Sequence, residues 1–250
     1  MIKGKGKEVE SMRKRLVVFD LDGTLAPIGQ GMSQENIDLL KKISEKGMKI
    51  AICSGKPTYY LCGFVRQMGI PDMILLGENG AVIQFGINLP PQIYCTLPYE
   101  RSVKSALRQI EEDIGDMLPD IWFQPNSVGV TPFPRNEEEF QKIEDYMKEH
   151  EELMEGIETF RHVDSVDFVP SGLTKYDGLQ KLTQMTGIMA DEMIAVGDGV
   201  KDAPMFRYVG LSLGIQLPEE DMADRNFDSI TESMEYILSL LQEEESGSPD

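Results

Sequence analysis

Four short segments of the sequence carry side chains suited to holding a cation and a phosphate. They are Asp20–Thr24, Ser54–Gly55, the segment around Lys175, and Gly197–Asp202. At a separation of about 4 Å and an effective dielectric of about 20, two carboxylates repel each other by about 4 kcal/mol. Clustered aspartates therefore need a cation, and ligands that are all oxygen select a hard ion such as Mg²⁺. A hydroxyl, a lysine and backbone N–H groups near helix starts would then bind a phosphate.

The elements that must position these segments alternate between buried strands and helices. Continuous apolar runs predict strands at Leu16–Phe19, Lys49–Cys53, Met73–Leu76, Met193–Val196 and Tyr208–Ile215. Helical patterns begin after Ser33, the expected cap, run from Pro57 to about Met68, and cover Lys175–Thr186. The alternation predicts an α/β fold with a Rossmann-like, doubly wound parallel sheet. Because such sheets place their sites at the carboxyl ends of strands, we expect the four segments to converge there.

An insertion is predicted to interrupt this sheet. Asn79-Gly80 between apolar runs is typical of a hairpin, and an α+β unit of small-domain size follows it. Its predicted helices are Tyr99–Asp113 and Glu137–Leu153, and its predicted strands are Ile121–Phe123, Val128–Phe133, Ile157–Val163 and Val166–Val169. The expected division is a basic arm (1–15), a discontinuous core (16–83 and 168–242), an α+β cap (84–167) and an acidic, disordered tail (243–250).

The charge of the chain is strongly negative and unevenly distributed. The 250 residues include 43 acidic and 24 basic side chains, a net charge of −19. Residues 84–167 carry 18 acidic and 7 basic side chains, and residues 216–250 carry 11 and 1, which leaves 14 acidic and 16 basic elsewhere. This balance argues against a nucleic-acid partner and against an anionic membrane surface. Residues 1–83 and 168–215, which combine the basic arm with most of the predicted core, are therefore near neutral and compatible with an anionic substrate.

The cysteines indicate the cellular compartment. Cys53, Cys62 and Cys95 show no paired spacing, and their odd number leaves at least one outside any disulfide. This usage is typical of a reduced, cytoplasmic protein. No stretch approaches the roughly 18 apolar residues of a membrane span, so we expect a cytoplasmic chain.

The four segments resemble the ordered motifs of the haloacid dehalogenase superfamily of phosphatases. Asp20-Leu21-Asp22-Gly23-Thr24-Leu25 is similar to the first motif, Ser54 to the second, Lys175 to the third, and Gly197-Asp198-Gly199-Val200-Lys201-Asp202 to the fourth. The segment Asn79–Ile83 further resembles the Cof-like branch, in which an α+β cap is inserted between the second and third motifs. Sucrose-phosphatase, trehalose-phosphatase, phosphomannomutase and archaeal phosphoglycolate phosphatase are relatives of that type.

This resemblance implies a role for each motif residue. Asp20 would attack the phosphoryl group, and Asp22 would protonate the leaving oxygen and then activate water. The implied phosphate-binding residues are Gly23, Thr24, Ser54, Gly55 and Lys175. The implied Mg²⁺ ligands are Asp20, the backbone carbonyl of Asp22, and Asp198, with Asp202 in support.

Two residues depart from the pattern of the relatives. Lys201 stands where they usually carry Asn, and Lys56 stands where they often carry Arg. Lys201 is expected to add a positive charge near the carboxylates, which makes a metal role less secure for Asp202 than for Asp198. Residues considered as substrate contacts are Asn79, Arg161, His162 and Lys201.

The expected function is that of a Mg²⁺-dependent phosphomonoester hydrolase acting on a small phosphorylated metabolite, preferably a sugar phosphate, through an aspartyl-phosphate. Phosphoglycolate hydrolysis and phosphomannomutase-like phosphoryl transfer are alternatives within the class. A signalling receiver domain also clusters Asp, Ser or Thr, and Lys, but it carries adjacent acidic residues after its first strand, whereas this chain has Asp20-Leu21-Asp22. A non-catalytic binding protein on the same fold is a further alternative. No oligomeric state is predicted.

Overall fold

The computed structural model describes residues 14–246, and its contacts are densest within two compact units. The first unit comprises residues 14–51 and 182–246, and the second comprises residues 52–181. These units do not follow the expected bounds of core and cap, which stay a prediction. None of the helices in the described part of the chain is long and apolar enough to span a bilayer.

The described residues form twelve strands and seven α-helices. The strands are β1 Leu16–Phe19, β2 Lys49–Cys53, β3 Ile74–Gly77, β4 Val82–Phe85, β5 Ile93–Thr96, β6 Trp122–Gln124, β7 Thr131–Phe133, β8 Ile157–Arg161, β9 Val166–Pro170, β10 Met193–Gly197, β11 Leu211–Ile215 and β12 Arg225–Phe227. The α-helices are α1 Gln34–Glu45, α2 Thr58–Val65, α3 Arg101–Met117, α4 Glu137–Glu149, α5 Lys175–Thr186, α6 Ala203–Phe206 and α7 Ile230–Ser246. The predicted α/β class is confirmed.

Parallel strands form the sheet of the first unit. Their order is β12-β11-β10-β1, and β2, which crosses from this unit into the second at Ile52, lies next to β1. Phe19 of β1 pairs with Val196 of β10, so the two strands end at the same level. The backbone N–H of Asp20 then donates to the Val196 carbonyl at 2.9 Å. The sheet therefore places the first and fourth motifs side by side.

Helices α1 and α7 pack against each other in the first unit. The Ser33 hydroxyl accepts the Asn36 N–H at 3.2 Å, which confirms the predicted cap of α1. The Thr231 hydroxyl donates to the Asn36 side-chain oxygen at 2.9 Å and joins the two helices. The disorder predicted from Glu243 onward is wrong for 243–246, since these residues complete α7. Residues 1–13 of the predicted arm and 247–250 of the predicted tail lie outside the described residues.

Antiparallel pairing begins in the second unit, as the Asn79-Gly80 signal predicted. β3 and β4 pair with Gly77 opposite Val82, and β4 pairs in turn with β5. Residues Glu78, Asn79 and Gly80 form the connection, and all three have positive φ. Three consecutive left-handed residues reverse the chain tightly enough for the next strand to pair directly.

The inserted segment forms its own hydrophobic core. Two hairpins, β6-β7 and β8-β9, are joined by a bridge between Val130 and Phe168, and α3 and α4 supply the apolar residues that complete the core. Among its buried side chains are Leu107, Ile110, Ile114, Phe140, Ile143 and Phe168. The strand predicted at Val128–Phe133 is shorter than expected, because the N–H groups of Val128 and Gly129 donate to the Glu78 carboxylate.

Candidate active site

The loop after β1 is held in a tight turn that presents Asp20 and Asp22. The N–H of Gly23 donates to the Ala26 carbonyl at 2.9 Å, and the N–H of Ala26 donates to the Leu21 carbonyl at 3.2 Å. The Asp20 side chain is buried, whereas Asp22 is half-buried. Within this turn the two aspartates have different surroundings, as the different roles implied for them require.

Gly23 is where the first motif touches the fourth. Its φ is +91°, a value that side-chain-bearing residues rarely adopt. A Cβ atom at this position would lie 2.0 Å from Oδ2 of Asp198. Both the backbone conformation and the space therefore require glycine.

The fourth motif folds around the buried carboxylate of Asp202. Its Oδ2 accepts the backbone N–H groups of Asp198 at 3.0 Å and of Gly199 at 3.2 Å. Gly197 packs on the same carboxylate, since a Cβ there would lie 2.6 Å from Oδ2. The side chain of Asp202 thus fixes the backbone from which Asp198 projects.

Asp20, Asp198 and Asp202 bring one carboxylate oxygen each to within 4.8 Å of one another. The Thr24 hydroxyl lies between two of them, 3.5 Å from Oδ2 of Asp20 and 3.2 Å from Oδ1 of Asp198. Burial raises the pKa of Asp198, as do the carboxylates of Asp20 and Asp202, while Lys201 and the Thr24 hydroxyl oppose this shift. The structure thus brings together three of the four aspartates named in the sequence analysis.

Lys201 reaches across to the first motif. Its Nζ donates to the backbone carbonyl of Asp22 at 3.2 Å and lies 3.4 Å from Oδ2 of Asp20. The Lys201 side chain is 54% exposed, whereas the Asp20 side chain is 3% exposed. The expected positive charge is therefore present, and it contacts two oxygens that the resemblance assigned to a metal.

The second motif is held within the second unit by backbone hydrogen bonds. The N–H of Ser54 donates to the Leu76 carbonyl at 3.0 Å, and its carbonyl accepts the N–H of Asn79 at 2.9 Å. The Ser54 hydroxyl accepts the N–H of Lys56 at 3.2 Å. The Asn79 side chain lies close to Gly55, 3.6 Å from the position of a Cβ there. Ser54, Gly55 and Asn79 thus form one local cluster.

Lys175 begins α5 and is 2% exposed. The helix start is capped by Asp177, whose Oδ2 accepts the N–H and the hydroxyl of Thr174 at 2.9 and 2.6 Å. Gly178 packs directly on Gly80, because a Cβ on Gly178 would lie 2.6 Å from the Gly80 Cα. This close approach brings the first turn of α5 onto the connection that also carries Asn79. A lysine ammonium buried to this extent requires anionic or hydrogen-bonding partners.

Comparison with known proteins identifies the family. The sequence profile of the haloacid dehalogenase-like hydrolases matches residues 17–112 and 124–217, which include all four motifs. The chain belongs to the haloacid dehalogenase-like hydrolases. This membership confirms the resemblance drawn from the motifs.

Relatives of this hydrolase match it over most of their length. Phosphoglycolate phosphatase of Methanospirillum hungatei is 24% identical over 226 residues, covering 89% of this chain and 91% of the relative. A haloacid dehalogenase-like hydrolase from Bacteroides thetaiotaomicron has the same fold, with a TM-score of 0.73 at 21% identity over 90% of this chain and 100% of the other. A sugar phosphatase of haloacid dehalogenase subclass IIB also has this fold, with a TM-score of 0.63. It is 22% identical, and the match covers 89% of this chain and 98% of the other. The chain is an enzyme, a phosphatase of the haloacid dehalogenase type.

A polar chain crosses the inserted segment of this hydrolase. Its side chains are Gln124, Asn126, Thr131, Asp167 and His162. At one end the Gln124 amide donates to the Gly55 carbonyl at 3.4 Å. The links then run from Gln124 to Asn126 at 2.8 Å, to Thr131 at 2.9 Å, to Asp167 at 2.7 Å, and from Asp167 to the His162 ring at 3.0 Å. The inserted segment of the hydrolase therefore presents connected donors and acceptors beside the second motif.

The two cap residues considered as substrate contacts have different surroundings. Arg161 ion-pairs with Glu137 and Glu144, and its guanidinium lies 4.2 Å from the centre of the Phe140 ring. His162 instead ends the polar chain at Asp167. Substrate contact by either residue stays a prediction.

Glu78 is a site residue that the sequence analysis missed. Its buried carboxylate accepts the N–H groups of Ser127, Val128 and Gly129 at 2.7, 2.8 and 3.0 Å. Burial raises the pKa of Glu78, while these three backbone donors oppose the shift. Glu78 directly precedes Asn79, so one carboxylate attaches the inserted segment to the turn beside the second motif.

Proposed function

We propose that this hydrolase is a Mg²⁺-dependent phosphomonoesterase that acts on a small phosphorylated metabolite, preferably a sugar phosphate, through an aspartyl-phosphate on Asp20. The observation that carries the proposal is the convergence of Asp20, Asp198 and Asp202 at the carboxyl ends of adjacent parallel strands. Three mutually repelling carboxylates in a partly buried site call for a cation.

The donor set fits magnesium. All of its candidate ligand atoms are oxygens, which suits a hard divalent cation and disfavours zinc or copper. Asp20, Asp198 and the Asp22 carbonyl would hold the ion, with Asp202 fixing the backbone of Asp198. A Mg²⁺ ion held there would supply positive charge against the transferring phosphoryl group and would help to orient it.

The chain's own residues carry the bond changes. A carboxylate oxygen of Asp20 attacks phosphorus, the bond from phosphorus to the leaving oxygen breaks, and Asp22 donates a proton to that oxygen. Asp22 then removes a proton from water, whose oxygen attacks the aspartyl-phosphate and releases inorganic phosphate and free Asp20. The exposure of Asp22, which is greater than that of Asp20, supports its assignment as the proton shuttle.

Phosphate binding is assigned to Ser54, Gly55 and Lys175, together with Gly23 and Thr24, whose own N–H groups donate within the turn to the Ala26 and Leu21 carbonyls. A cation and fixed hydrogen-bond donors stabilise charge that develops on the phosphoryl oxygens. The burial of Lys175 supports the assignment, since it restricts the ammonium to a defined position. The hydrogen bond from the Asn79 N–H to the Ser54 carbonyl, and the Asn79 side chain beside Gly55, support a rigid second motif.

The polar chain supports a leaving group rich in hydroxyls. Its amide, hydroxyl, carboxylate and imidazole groups offer both donors and acceptors, which a polyol can match. The names of relatives point to a second candidate, 2-phosphoglycolate, because phosphoglycolate phosphatase of Methanospirillum hungatei spans 89% of this chain. Cys53, Cys62 and Cys95 form no disulfide, which supports action in the reducing cytoplasm.

Hydrolysis of a panel of phosphate esters with Mg²⁺ or with a chelator tests this proposal. Sugar phosphates are expected to give higher kcat/KM than 2-phosphoglycolate and p-nitrophenyl phosphate. Asp167→Asn should raise KM for the best sugar phosphate about tenfold, the cost of losing one charged hydrogen-bond partner. The same variant should leave KM for p-nitrophenyl phosphate within about twofold of the parent value. The control Glu158→Gln, at an exposed position of the cap, should change KM for neither substrate. Higher kcat/KM for 2-phosphoglycolate would favour the second candidate.

A further inference from the structure

Lys201 contacts the oxygens that the proposed metal site needs. Its Nζ donates to the Asp22 carbonyl at 3.2 Å and lies 3.4 Å from Oδ2 of Asp20. Both atoms belong to the ligand set assigned above to Mg²⁺. An ammonium group and a divalent cation that share two oxygens this closely repel each other and compete for the same lone pairs.

We propose that the Lys201 ammonium is a built-in competitor of Mg²⁺: it holds Asp20 and the Asp22 carbonyl until the metal displaces it, and it thereby sets how much Mg²⁺ the enzyme needs. This inference rests on the proposed function, because it concerns the same metal site. Lys201 is a positioning residue in this account, since it acts through the metal ligands.

The Lys201 side chain is able to move away from these two oxygens. It is 54% exposed and follows Val200, which is 74% exposed, so its path to solvent is open. Lysine has a long, flexible stem, and its strongly hydrated ammonium is restored to water at little cost. Asp202, by contrast, is fully buried and bonds to the backbone of the motif, so the loop keeps its shape when Lys201 moves.

The charge of Lys201 also has a role when it is in place. Asp20, Asp198 and Asp202 hold oxygens within 4.8 Å of one another, and a nearby ammonium reduces their repulsion. The same residue therefore stabilises the ionised carboxylates and lowers their apparent affinity for Mg²⁺. Neutralising Lys201 should therefore raise the affinity for Mg²⁺ and lower the melting temperature of the metal-free protein.

The test is calorimetric titration of chelator-treated full chain with Mg²⁺ in the absence of substrate, together with thermal melts in chelator. Lys201→Met, of similar length but uncharged, should bind Mg²⁺ about three- to tenfold more tightly than the parent. It should also melt at a lower temperature in chelator. Lys42→Met removes the same charge from an exposed position of α1 and should leave Mg²⁺ affinity unchanged.

Lys201→Arg keeps the positive charge and should leave Mg²⁺ affinity within about twofold of the parent. The inference is overturned if the parent binds Mg²⁺ and Lys201→Met binds it equally or more weakly, or if Lys201→Arg tightens binding as Lys201→Met does. If the parent chain binds no Mg²⁺, the proposed metal site itself fails. The two failures are thus distinguished without any activity measurement.

Discussion

The carboxylate of Asp202 holds the backbone of Asp198: its Oδ2 accepts the Asp198 N–H at 3.0 Å and, in a second bond, the N–H of Gly199 at 3.2 Å. A carboxylate that accepts N–H groups from the turn preceding it fixes that turn. The candidate metal ligand Asp198 is therefore presented in one orientation by a second, fully buried aspartate. Asp202 therefore has a positioning role, whether or not it also contacts a metal.

Removal of the Asp202 side chain should weaken both the fold and the metal site. Asp202→Ala leaves two backbone N–H groups without their acceptor and is expected to cost about 2–3 kcal/mol of unfolding free energy. Asp202→Asn retains an acceptor oxygen and should cost less. Urea unfolding and Mg²⁺ titration measure the two effects. Asp38→Asn, on the exposed face of α1, is the control and should change neither.

Gly23→Ala should abolish Mg²⁺ binding and hydrolysis while the chain remains folded. Its Cβ would lie 2.0 Å from Asp198 Oδ2, at a φ of +91°. Gly29→Ala is a matched control, because Gly29 also has a positive φ, +72°, but has open space around its Cβ position. Gly29→Ala is expected to cost only about 1 kcal/mol of stability, the strain of a left-handed alanine. Equal activity in the two variants would contradict the close approach of Gly23 to Asp198.

Glu78→Ala should release the turn at residues 127–129. Ser127, Val128 and Gly129 all donate backbone N–H groups to this carboxylate, and hydrogen bonds to a charged group contribute about 1.5–3 kcal/mol each. Hydrogen exchange should show faster exchange of these three amides. Glu100→Ala, an exposed residue with no side-chain bond to the start of α3, should leave them protected. Unchanged protection in Glu78→Ala would rule out the attachment.

The Glu139 carboxylate should contribute stability that depends on pH. Hydrogen bonds from the Arg135 side chain and backbone lower its pKa below the usual value for Glu. A lowered pKa in the folded state means that the contribution is present above the unfolded-state pKa and is lost as pH falls through the folded-state pKa. Glu139→Gln should therefore lower Tm by roughly 2–4 °C at about pH 7 and by less at about pH 3.

Glu138→Gln provides the comparison for this pH effect. Glu138 pairs with Lys142 on the exposed surface of α4, where ion pairs contribute little. The Tm of Glu138→Gln should stay close to that of the parent at both pH values. A Glu139→Gln effect of the same size at acidic and neutral pH would show that pairing with Arg135 is not its source.

Buried strands and the motif residues could be predicted from the sequence because their signals are local. β1 has the predicted bounds Leu16–Phe19, and α5 has the predicted bounds Lys175–Thr186. Parallel strands end at a common edge, so the convergence of Asp20 with Asp198 follows from the apolar runs that precede them.

What the sequence did not predict depends on distant partners or on weak patterns. Lys201 and the Asp22 carbonyl that it contacts are 179 residues apart in the sequence. Glu78 contacts residues about fifty positions away. Neither contact can therefore be predicted from local residue spacing. The strands β5 and β12 are short and mostly exposed, which removes the apolar run that marks a buried strand. The predicted strand Val128–Phe133 is longer than the observed β7, because the apolar pattern does not reveal that the N–H groups of Val128 and Gly129 bond to Glu78.

In the proposed reaction, Asp20 carries the phosphoryl group between two half-reactions. Its most direct test is rapid acid quenching of the enzyme during turnover of a sugar phosphate with Mg²⁺, followed by mass spectrometry of the peptide around β1. We expect one added phosphoryl group on Asp20, absent in Asp20→Asn, which should also lose turnover. A phosphoryl group on another residue, or full turnover by Asp20→Asn, would contradict it.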